Sequence, residues 1–447
     1  MRALFEAVAD AVDDAARGGE VLAAQFEGEA SDFVRLNHAR LRQAGRVERA
    51  VVRLRLVDGD RQVGLSFTLP GLAPDRDTVR DRVREAADRL RGAIADAEPD
   101  PLLELNREAT LLVDEGPDAP FDRDAFVDTV AGAAGDADLV GFCAAGPVAH
   151  GLCSSLGTRL WYRRSSVAFD WSVHLPTDEG ARKAVKAGWS GERFDARAVA
   201  AAIARSRADA AVLARPVRRL SPADYRVLLA PRAFADLIEM LCWGGFSARA
   251  RLSGQSPFAR LARGDARLSS ALTLDEDLSA GFAPPFQGDG YLRPRHLRLI
   301  DAGRLAGELV SPRVAREFGL ASTAASDAES PDSLRVAPGT LADDDALAAL
   351  GTGVSVSNLW YLNWSDRAAG RVTGMTRFAS VWVEDGVAVQ PIEAMRFDDT
   401  VYRILGEHLE ALGSTPRRMP ATDTYDFRAA GGIEAPSALV SALRFAL

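Results

Sequence analysis

The chain has 447 residues, of which 47% are hydrophobic and 26% charged, and its formal net charge is −9. The length predicts two or three domains with ample cores, and the acidic balance excludes a general binder of nucleic acids or of anionic membranes. No apolar run approaches the ~18 residues of a membrane span, and the amino terminus has no signal-peptide pattern, so we expect a cytoplasmic protein. Three cysteines are too few for a disulfide framework.

The first half of the chain combines amphipathic helices with strand pairs. Hydrophobic residues at helical spacing predict four helices, over 3–17, 77–96, 121–134 and 196–207. An Asp58-Gly59 turn between two apolar runs predicts a β-hairpin, and a further strand region is expected over 139–173. The segments 111–120 and 186–195 are rich in turn residues, so we expect connectors there.

The second half is richer in short strands. Residues 214–223 contain two prolines and are the predicted boundary between a domain at 1–215 and a domain at 216–447. Helices are expected over 232–243 and 398–412, and a mobile loop is expected over 322–338. Two hairpins are predicted, at 296–310 and at 379–389. The absence of regular βαβ units favours an α+β fold, with N-terminal helices and an antiparallel sheet followed by a β-rich C-terminal domain.

Motifs of known chemistry are scarce. No dinucleotide-binding, P-loop or nucleophile-elbow motif occurs. His150 and Cys153 form an H-x-x-C pair, but no second ligand pair lies nearby, so we expect a loop histidine and a buried thiol. One apolar face is predicted on the helix at 232–243, from residues at i, i+3, i+4, i+7 and i+8: Phe234, Leu237, Ile238, Leu241 and Cys242.

Several segments in order along the chain resemble the TldD/PmbA (TldE) family of peptidase subunits. They are Ser31–Gly59, Gly157–Ser166 with Lys186–Asp195, Asp224–Ala259, Ala271–Thr323 and Val356–Gly386. The resemblance implies a pair of similar subunits. A TldD-like subunit binds zinc through a helix with the pattern His-Glu-x-x-x-His and a later Cys, and the Glu is the general base. A TldE-like subunit has the same fold and no metal, and helps to enclose the chamber where an unfolded peptide is cleaved.

This chain matches the metal-free kind of subunit at the motif. Ile238 and Trp243 stand at the two His positions, and neither side chain can donate a lone pair to zinc. Glu239 is retained, and no cysteine follows Met395. We therefore expect no catalytic residue, metal or cofactor in this chain, and zinc in a TldD-like partner. Glu239 is interpreted as a helix-surface or interface carboxylate, with a role as a base as the alternative.

The family's C-terminal signature supplies the candidate binding residues. They are Asn358, Trp360, Tyr361, Asn363, Arg371, Thr373, Gly374, Thr376 and Arg377. Two interpretations remain open: an edge-strand pair packed on a neighbouring hairpin, or an edge that binds a peptide or the partner. Arg293, Arg295 and Arg298 are candidates to face an acidic peptide or the partner, with a solvated strand face as the alternative.

The resemblance implies a non-catalytic TldE/PmbA-like subunit that pairs with a TldD-like zinc metallopeptidase to form a proteolytic chamber for unfolded or precursor peptides. The alternative is a pair specialised for tailoring or trimming a peptide natural-product precursor. A metal-independent enzyme would need a nucleophile and a base, and none stands at a recognisable spacing. Without its partner the chain is expected to be able to form a homodimer. Nucleic acid and membranes are not expected as partners.

Overall fold

Three β-sheets organise the protein, as seen in a computed structural model that describes residues 1–175 and 183–446. The sheets have seven, six and nine strands within these ranges, and nine α-helices accompany them. The predicted α+β class is confirmed. No helix of the described ranges is long and apolar enough to cross a membrane.

The first half builds the seven-stranded sheet. Its elements are α1 (Arg2–Ala15), β1 (Glu20–Asn37), β2 (Arg40–Asp58), β3 (Arg61–Leu69), α2 (Arg76–Ala93), β4 (Leu111–Glu115), α3 (Arg123–Ala134), β5 (Asp138–Ser154), β6 (Arg159–Leu175), β7 (Lys183–Gly191) and α4 (Ala196–Leu213). The antiparallel order is β3-β2-β1-β5-β6. Strand β4 then pairs in parallel with the first part of β6, and β7 pairs antiparallel with its second part.

The four helices and the Asp-Gly hairpin predicted for this half are confirmed, whereas both predicted connectors contain strands. Strand β4 lies in the segment 111–120, and β7 extends into the segment 186–195. Both strands pair with β6, and β4 is distant from β6 in sequence. The turn residues of the two segments therefore gave no sign of this pairing. Pairing with a distant strand overrides a weak local preference.

One face of the seven-stranded sheet is covered by helices. Helices α1 and α2 pack over the first three strands, around Phe5, Phe26 and Trp161. Helices α3 and α4 pack over the other end, around Phe126 and Trp171. The opposite face is left for the second half of the chain.

The second half builds the other two sheets. Its elements are β8 (Ala223–Leu229), α5 (Pro231–Leu241), α6 (Ala248–Leu252), α7 (Ala259–Arg263), β9 (Leu274–Asp277), β10 (His296–Asp301), β11 (Arg304–Leu305), α8 (Pro312–Phe318), β12 (Ser333–Val336), α9 (Ala346–Leu350), β13 (Gly353–Val356), β14 (Asn358–Asp366), β15 (Arg371–Arg377), β16 (Val381–Glu384), β17 (Val387–Pro391), β18 (Arg396–Thr400), β19 (Leu409–Leu412), β20 (Arg417–Pro420), β21 (Gly432–Ala435) and β22 (Ala438–Ala446). The six-stranded order is β11-β10-β9-β12-β21-β20. The nine-stranded order is β14-β15-β18-β22-β8-β13-β16-β17, with β19 beside β22.

The hairpins predicted at 296–310 and 379–389 are confirmed as β10–β11 and β16–β17. The helix predicted over 398–412 is wrong. That stretch contains the end of β18, one π-helical turn at Arg403–Glu407, and β19. Its apolar side chains enter the core as expected, Val401, Ile404 and Leu405 from the helical turn and Leu409 and Leu412 from β19, which pairs with β22. Burial alone does not distinguish this arrangement from one continuous helix.

The remaining predictions for this half concern connections. The loop expected over 322–338 contains strand β12, which lies between β9 and β21. The boundary segment 214–223 lies between α4 and β8, and the division into domains there stays a prediction.

Candidate functional site

Helix α5 carries the residues that the resemblance aligns with the zinc motif, and the sequence at each end explains where the helix begins and ends. Pro231 occupies its first turn, where no backbone N–H is required. After the helix, Gly244 has a left-handed φ of 86°, and a Cβ on Gly245 would collide with the carbonyl oxygen of Leu241. Two consecutive glycines are therefore needed to turn the chain away from the helix.

The apolar face predicted for this helix is confirmed. Its five side chains are all buried, and Ile238 is fully enclosed in the main core of the second half. Cys242 extends the same face past the last helical residue, and burial raises the pKa of its thiol well above the ordinary value. The side chain of Ile238, at the first motif position, therefore points into the protein core.

The opposite face of α5 is polar, with Arg232, Asp236, Glu239 and Trp243 following one another at i, i+4, i+7 and i+11. Arg232 donates from Nε to Asp236 at 2.8 Å and from its terminal amino group to Glu239 at 2.7 Å. The second carboxylate oxygen of Asp236 accepts the backbone N–H of Leu359 at 3.2 Å. Asp236 thus fastens the helix to β14.

Glu239 is held in an ion pair. Its side chain is 41% exposed, and burial raises the pKa of the carboxyl while the charge of Arg232 lowers it. The carboxylate therefore has a structural partner on its own helix, as a helix-surface group would.

The residues at the motif do not fit a zinc ion. Ile238 is a hydrocarbon inside the core, Trp243 is 53% exposed and has no lone-pair donor for a metal, and Glu239 is paired with Arg232. Across residues 1–175 and 183–446, no three His, Cys, Asp or Glu side chains are grouped so that they could hold a metal. We assign no metal-dependent step to this chain.

The two residues of the H-x-x-C pair lie on one strand and face opposite sides of the sheet. His150 and Cys153 are three residues apart on β5 and therefore face opposite sides of the sheet. Cys153 enters the core under α1 and α2, and burial raises its pKa to about 12. His150 lies near the ring of Tyr162, and burial lowers its pKa to about 4. The buried thiol is confirmed, and the expected loop histidine is wrong because the residue belongs to a strand.

The candidate binding residues lie on β14 and β15, at one edge of the nine-stranded sheet. In β15 the buried residues Val372, Gly374 and Thr376 alternate with more accessible ones. Thr376 has no exposed surface and bonds with the backbone of Met395 in both directions. A Cβ on Gly374 would lie 2.7 Å from Phe397. Gly374 and Thr376 therefore pack the core and do not reach the outer face.

The structure brings the other candidates of β15 to the outer face of this edge. Thr373 lies opposite Asn363, and Arg377 lies opposite Asn358. Arg371 is paired with Asp398 at 3.0 Å. Asn358 is mostly buried, and its side-chain oxygen has no partner within the described part of the chain.

Two aromatic side chains project from β14 at a β-bulge. Trp360 is 45% exposed and Tyr361 is 74% exposed, and their rings are 5.8 Å apart in an edge-on arrangement. Tyr361 has a left-handed φ of 53°. Two backbone amides of this strand are occupied by side chains, because Asp236 accepts the N–H of Leu359 and Asn363 accepts that of Trp364. These contacts favour recognition by side chains over addition of a strand.

The other edge of the same sheet is covered. Arg215 donates to the carbonyl oxygens of Ala388 and Val389 on β17, and the backbone of Arg218 donates to that of Pro391. Charged groups that occupy edge carbonyls protect a sheet from further pairing. The β14 side is thus the more accessible edge.

The three arginine candidates make intramolecular ion pairs. Arg293 is 3% exposed and bridges Glu276 and Asp332 inside the protein, so neither interpretation of it was correct. Arg295 pairs with Asp114 of the first half at 3.2 Å, and Arg298 pairs with carboxylates of its own sheet. The missed signal was the run of three acidic residues Asp275–Asp277 on β9, which lies across from the basic residues of the segment 293–298.

A serine–histidine pair that sequence analysis missed lies beside β22. The Oγ of Ser441 is 2.9 Å from Nδ1 of His408, whose Nε2 is 3.1 Å from a terminal nitrogen of Arg403. Because a guanidinium only donates, Nε2 must accept and the ring proton must lie on Nδ1. Nδ1 then donates to Ser441, so the histidine does not activate the serine as a nucleophile.

The second half meets the open face of the seven-stranded sheet through two segments. In the first, residues 281–291, Gly281 accepts the hydroxyl of Tyr162 at 2.9 Å. The second is the loop 421–431 between β20 and β21, whose Phe427 ring lies 3.7 Å from the guanidinium of Arg49. A cavity of about 80 Å³ lies between these segments and strands β5 to β7, and Asp170 is among the residues that line it.

Arg428 anchors the loop 421–431 in a gap of the sheet. The pairing of β1 with β5 is interrupted between Glu29 and Asp32. The guanidinium of Arg428 enters there and donates to the carbonyl oxygen of Gly146 at 2.9 Å and to the Oγ of Ser166 at 2.6 Å. Desolvation lowers the pKa of this arginine. The loop that lines the cavity beside it is therefore firmly attached.

The fold defines an α+β protein built from three β-sheets and accompanying helices. Residues 222–447 match the family model described as PmbA/TldA metallopeptidase C-terminal domain. Because that match spans just over half of the chain, the protein belongs to the TldD/PmbA family. This membership confirms the resemblance found in the sequence.

Solved structures share the whole fold at low sequence identity. TldE from Thermococcus kodakarensis is 15% identical, with a TM-score of 0.75 and full coverage of both chains. A Thermotoga maritima protein described as a modulator of a DNA gyrase is 14% identical, with a TM-score of 0.74 and full coverage of both. A Bacteroides thetaiotaomicron protein of similar description is 14% identical, with a TM-score of 0.76 over 100% of this chain and 98% of its own. No curated protein matches the chain.

Proposed function

We propose that this chain is a non-catalytic TldE/PmbA-like subunit that pairs with a TldD-like zinc metallopeptidase in the cytoplasm and helps to enclose a chamber for unfolded or precursor peptides. Family membership and the likeness in fold to TldE support the proposal. The observation that carries it is the enclosure of Ile238 in the core, with an exposed indole at Trp243. The zinc belongs to the partner.

The outer face of β14 and β15 is the candidate contact surface for the partner or the peptide. It combines Trp360, Tyr361 and Arg377, and aromatic and arginine side chains dominate the binding energy of many interfaces. Within the described ranges no further strand pairs along it, and α5 contacts it only at the start of β14, through Asp236 and Leu359. Because Leu359 and Trp364 have occupied amides, contacts through side chains are expected.

Metal content and assembly test the proposal together. The chain purified alone, without a metal-affinity tag, should contain less than about a tenth of an equivalent of zinc, because three protein ligands are normally needed. Mixed with a TldD-like subunit from the same genome, it should form a hetero-oligomer in size-exclusion chromatography with light scattering. An unfolded peptide should be cleaved by the mixture and by neither chain alone. Near-stoichiometric zinc, or cleavage by this chain alone, would contradict the proposal.

A matched pair of substitutions locates the contact. Trp360→Ala should weaken assembly or peptide cleavage at least about tenfold, as expected for a central aromatic contact. Tyr425→Ala removes another exposed aromatic side chain, on the loop 421–431, and should leave both unchanged. Equal effects of the two substitutions would rule out the β14–β15 surface. If the pair cleaves a natural-product precursor in preference to a generic unfolded peptide, the pair is specialised for peptide tailoring.

A further inference from the structure

Residues 40–49 of β2 form an open edge of the seven-stranded sheet. Strand β1 pairs with all of β2 except Arg42, but β3 pairs only with residues 50–58. No strand among those the structure describes lies on the outer side of residues 40–49, and each residue from Arg40 to Glu48 is exposed. The free N–H and C=O groups of such an edge are a template for one more strand.

The charge of this edge is opposite to that of the whole chain. Four arginines and one glutamate lie in it: Arg40, Arg42, Arg46, Arg49 and Glu48. Arg46 and Arg49 are paired with carboxylates of the same hairpin. Within the described ranges, Arg40 and Arg42 have no carboxylate at ion-pair distance, although the chain carries a net charge of −9. The edge is thus locally basic on an acidic protein.

The edge is held in place by its neighbours. Strand β1 pairs with β5 on its other side, over residues 23–36. At the tip of the hairpin, the backbone of Ala39 donates to Leu139 at 2.8 Å, and His38 lies 2.9 Å from Asp138. A β-bulge leaves Arg42 without a partner on β1, so the regular part of the edge is Gln43–Arg49. A fixed edge loses little conformational entropy when a strand is added.

We propose that residues 40–49 bind an extended acidic segment of another polypeptide, which adds to the sheet as a strand beside β2. Backbone hydrogen bonds along Gln43–Arg49 supply affinity, and carboxylates near Arg40 and Arg42 supply selectivity. A second copy of this chain is a poor occupant, because two such edges would place arginine against arginine. The inference does not depend on the pairing with a TldD-like subunit.

Fluorescence anisotropy with a labelled ten-residue peptide of alternating Glu and Val tests this site on the full chain. The peptide should bind, and binding should weaken with added salt because exposed charges are screened. A Lys-Val peptide of the same length should not bind. The double substitution Arg40→Glu with Arg42→Glu should weaken binding at least about tenfold, because like charges then face each other.

Two controls separate strand addition from simple charge attraction. The same charge reversal at Arg82 and Arg89, two exposed positions of α2, should leave the affinity unchanged. An N-methylated form of the Glu-Val peptide keeps its charges but loses backbone donors, and it should bind at least about tenfold more weakly. Equal binding by the wild type and the Arg40→Glu, Arg42→Glu chain would overturn the proposal. So would an unchanged affinity after N-methylation, or dimerisation of the chain that depends on Arg40 and Arg42 in sedimentation experiments.

Discussion

At the scale of single residues, burial decides what the altered motif can do. Ile238 lies in the core while Trp243, five positions later, is at the surface, so the two positions that the resemblance aligns with zinc ligands point in different directions. Trp243 lies beyond Leu241, the last residue of α5, just before the chain turns at Gly244. The chemistry of both side chains and the direction of Ile238 therefore oppose metal binding in this chain.

Histidines introduced at the two motif positions should not create a metal site. Ile238→His places an imidazole in an apolar core and should lower the free energy of unfolding by about 2–4 kcal/mol. The double variant with Trp243→His should take up no more zinc than the wild type, as measured by elemental analysis after dialysis. Trp243→His alone, at an exposed position, should change stability by less than about 1 kcal/mol in urea unfolding. Stable, stoichiometric zinc binding by the double variant would show that the helix can rotate the first position outward.

At the scale of secondary-structure elements, ion pairs join helices and strands whose contact is not predictable from the sequence. Arg91 at the end of α2 donates from Nε to both carboxylate oxygens of Glu20, the first residue of β1, at 3.1 and 3.0 Å. This hydrogen bonding holds the pKa of Glu20 below its ordinary value, although burial acts in the opposite direction. The pair fixes the last turn of α2 against the sheet.

The contribution of this pair should depend on pH. Because the pKa of Glu20 is lower in the folded state, its stabilisation is fully present above the ordinary glutamate pKa of about 4.3 and is lost as the pH falls through the lowered value. Glu20→Gln should therefore cost about 1–3 kcal/mol at pH 7, and this cost should shrink in acid. Urea unfolding at several pH values measures it. Glu6→Gln, at an exposed position of α1, is the control and should show a small cost at every pH. A cost of Glu20→Gln that stays constant down to pH 3 would contradict this explanation.

At the scale of the whole molecule, Arg428 joins the two halves of the chain. It fills the interruption between β1 and β5 that begins at Gly146 and Pro147. Gly146 has a φ of 130°, and a Cβ there would collide with the carbonyl oxygen of Ala30. Pro147 has no N–H to continue the ladder, and the carbonyl oxygen of Gly146, which lies in the interruption, accepts from the arginine instead.

Removal of this anchor should release the loop 421–431. Arg428→Met leaves the Gly146 carbonyl without its donor and should lower the free energy of unfolding by about 2–3 kcal/mol. Limited proteolysis with mass spectrometry should then show cleavage within the loop at least about tenfold faster than in the wild type. Arg417→Met, at a more exposed arginine of β20, should leave the cleavage rate unchanged. If both variants were cleaved at the wild-type rate, Arg428 would not be what holds the loop.

Features encoded by consecutive residues were predictable from the sequence. The Asp-Gly turns, the helical stripes of the first half and the apolar face of α5 depend on neighbours within a few positions, and all of them are present. The loss of zinc donors at Ile238 and Trp243 also follows from side-chain chemistry alone. The family was recognised from several short sequence segments that occur in a fixed order along the chain. That order is a property of the sequence and does not depend on the fold.

Only the tertiary structure decided which distant segments meet. The parallel pairings of β4 with β6 and of β12 with β21 depend on partners that local patterns do not reveal. The same holds for the burial of Arg293 with Glu276, the contact of His408 with Ser441, and the insertion of Arg428 beside Gly146. Each of these polar groups is stable in its place because a partner from elsewhere in the chain satisfies it, and the sequence around the group is compatible with many other partners.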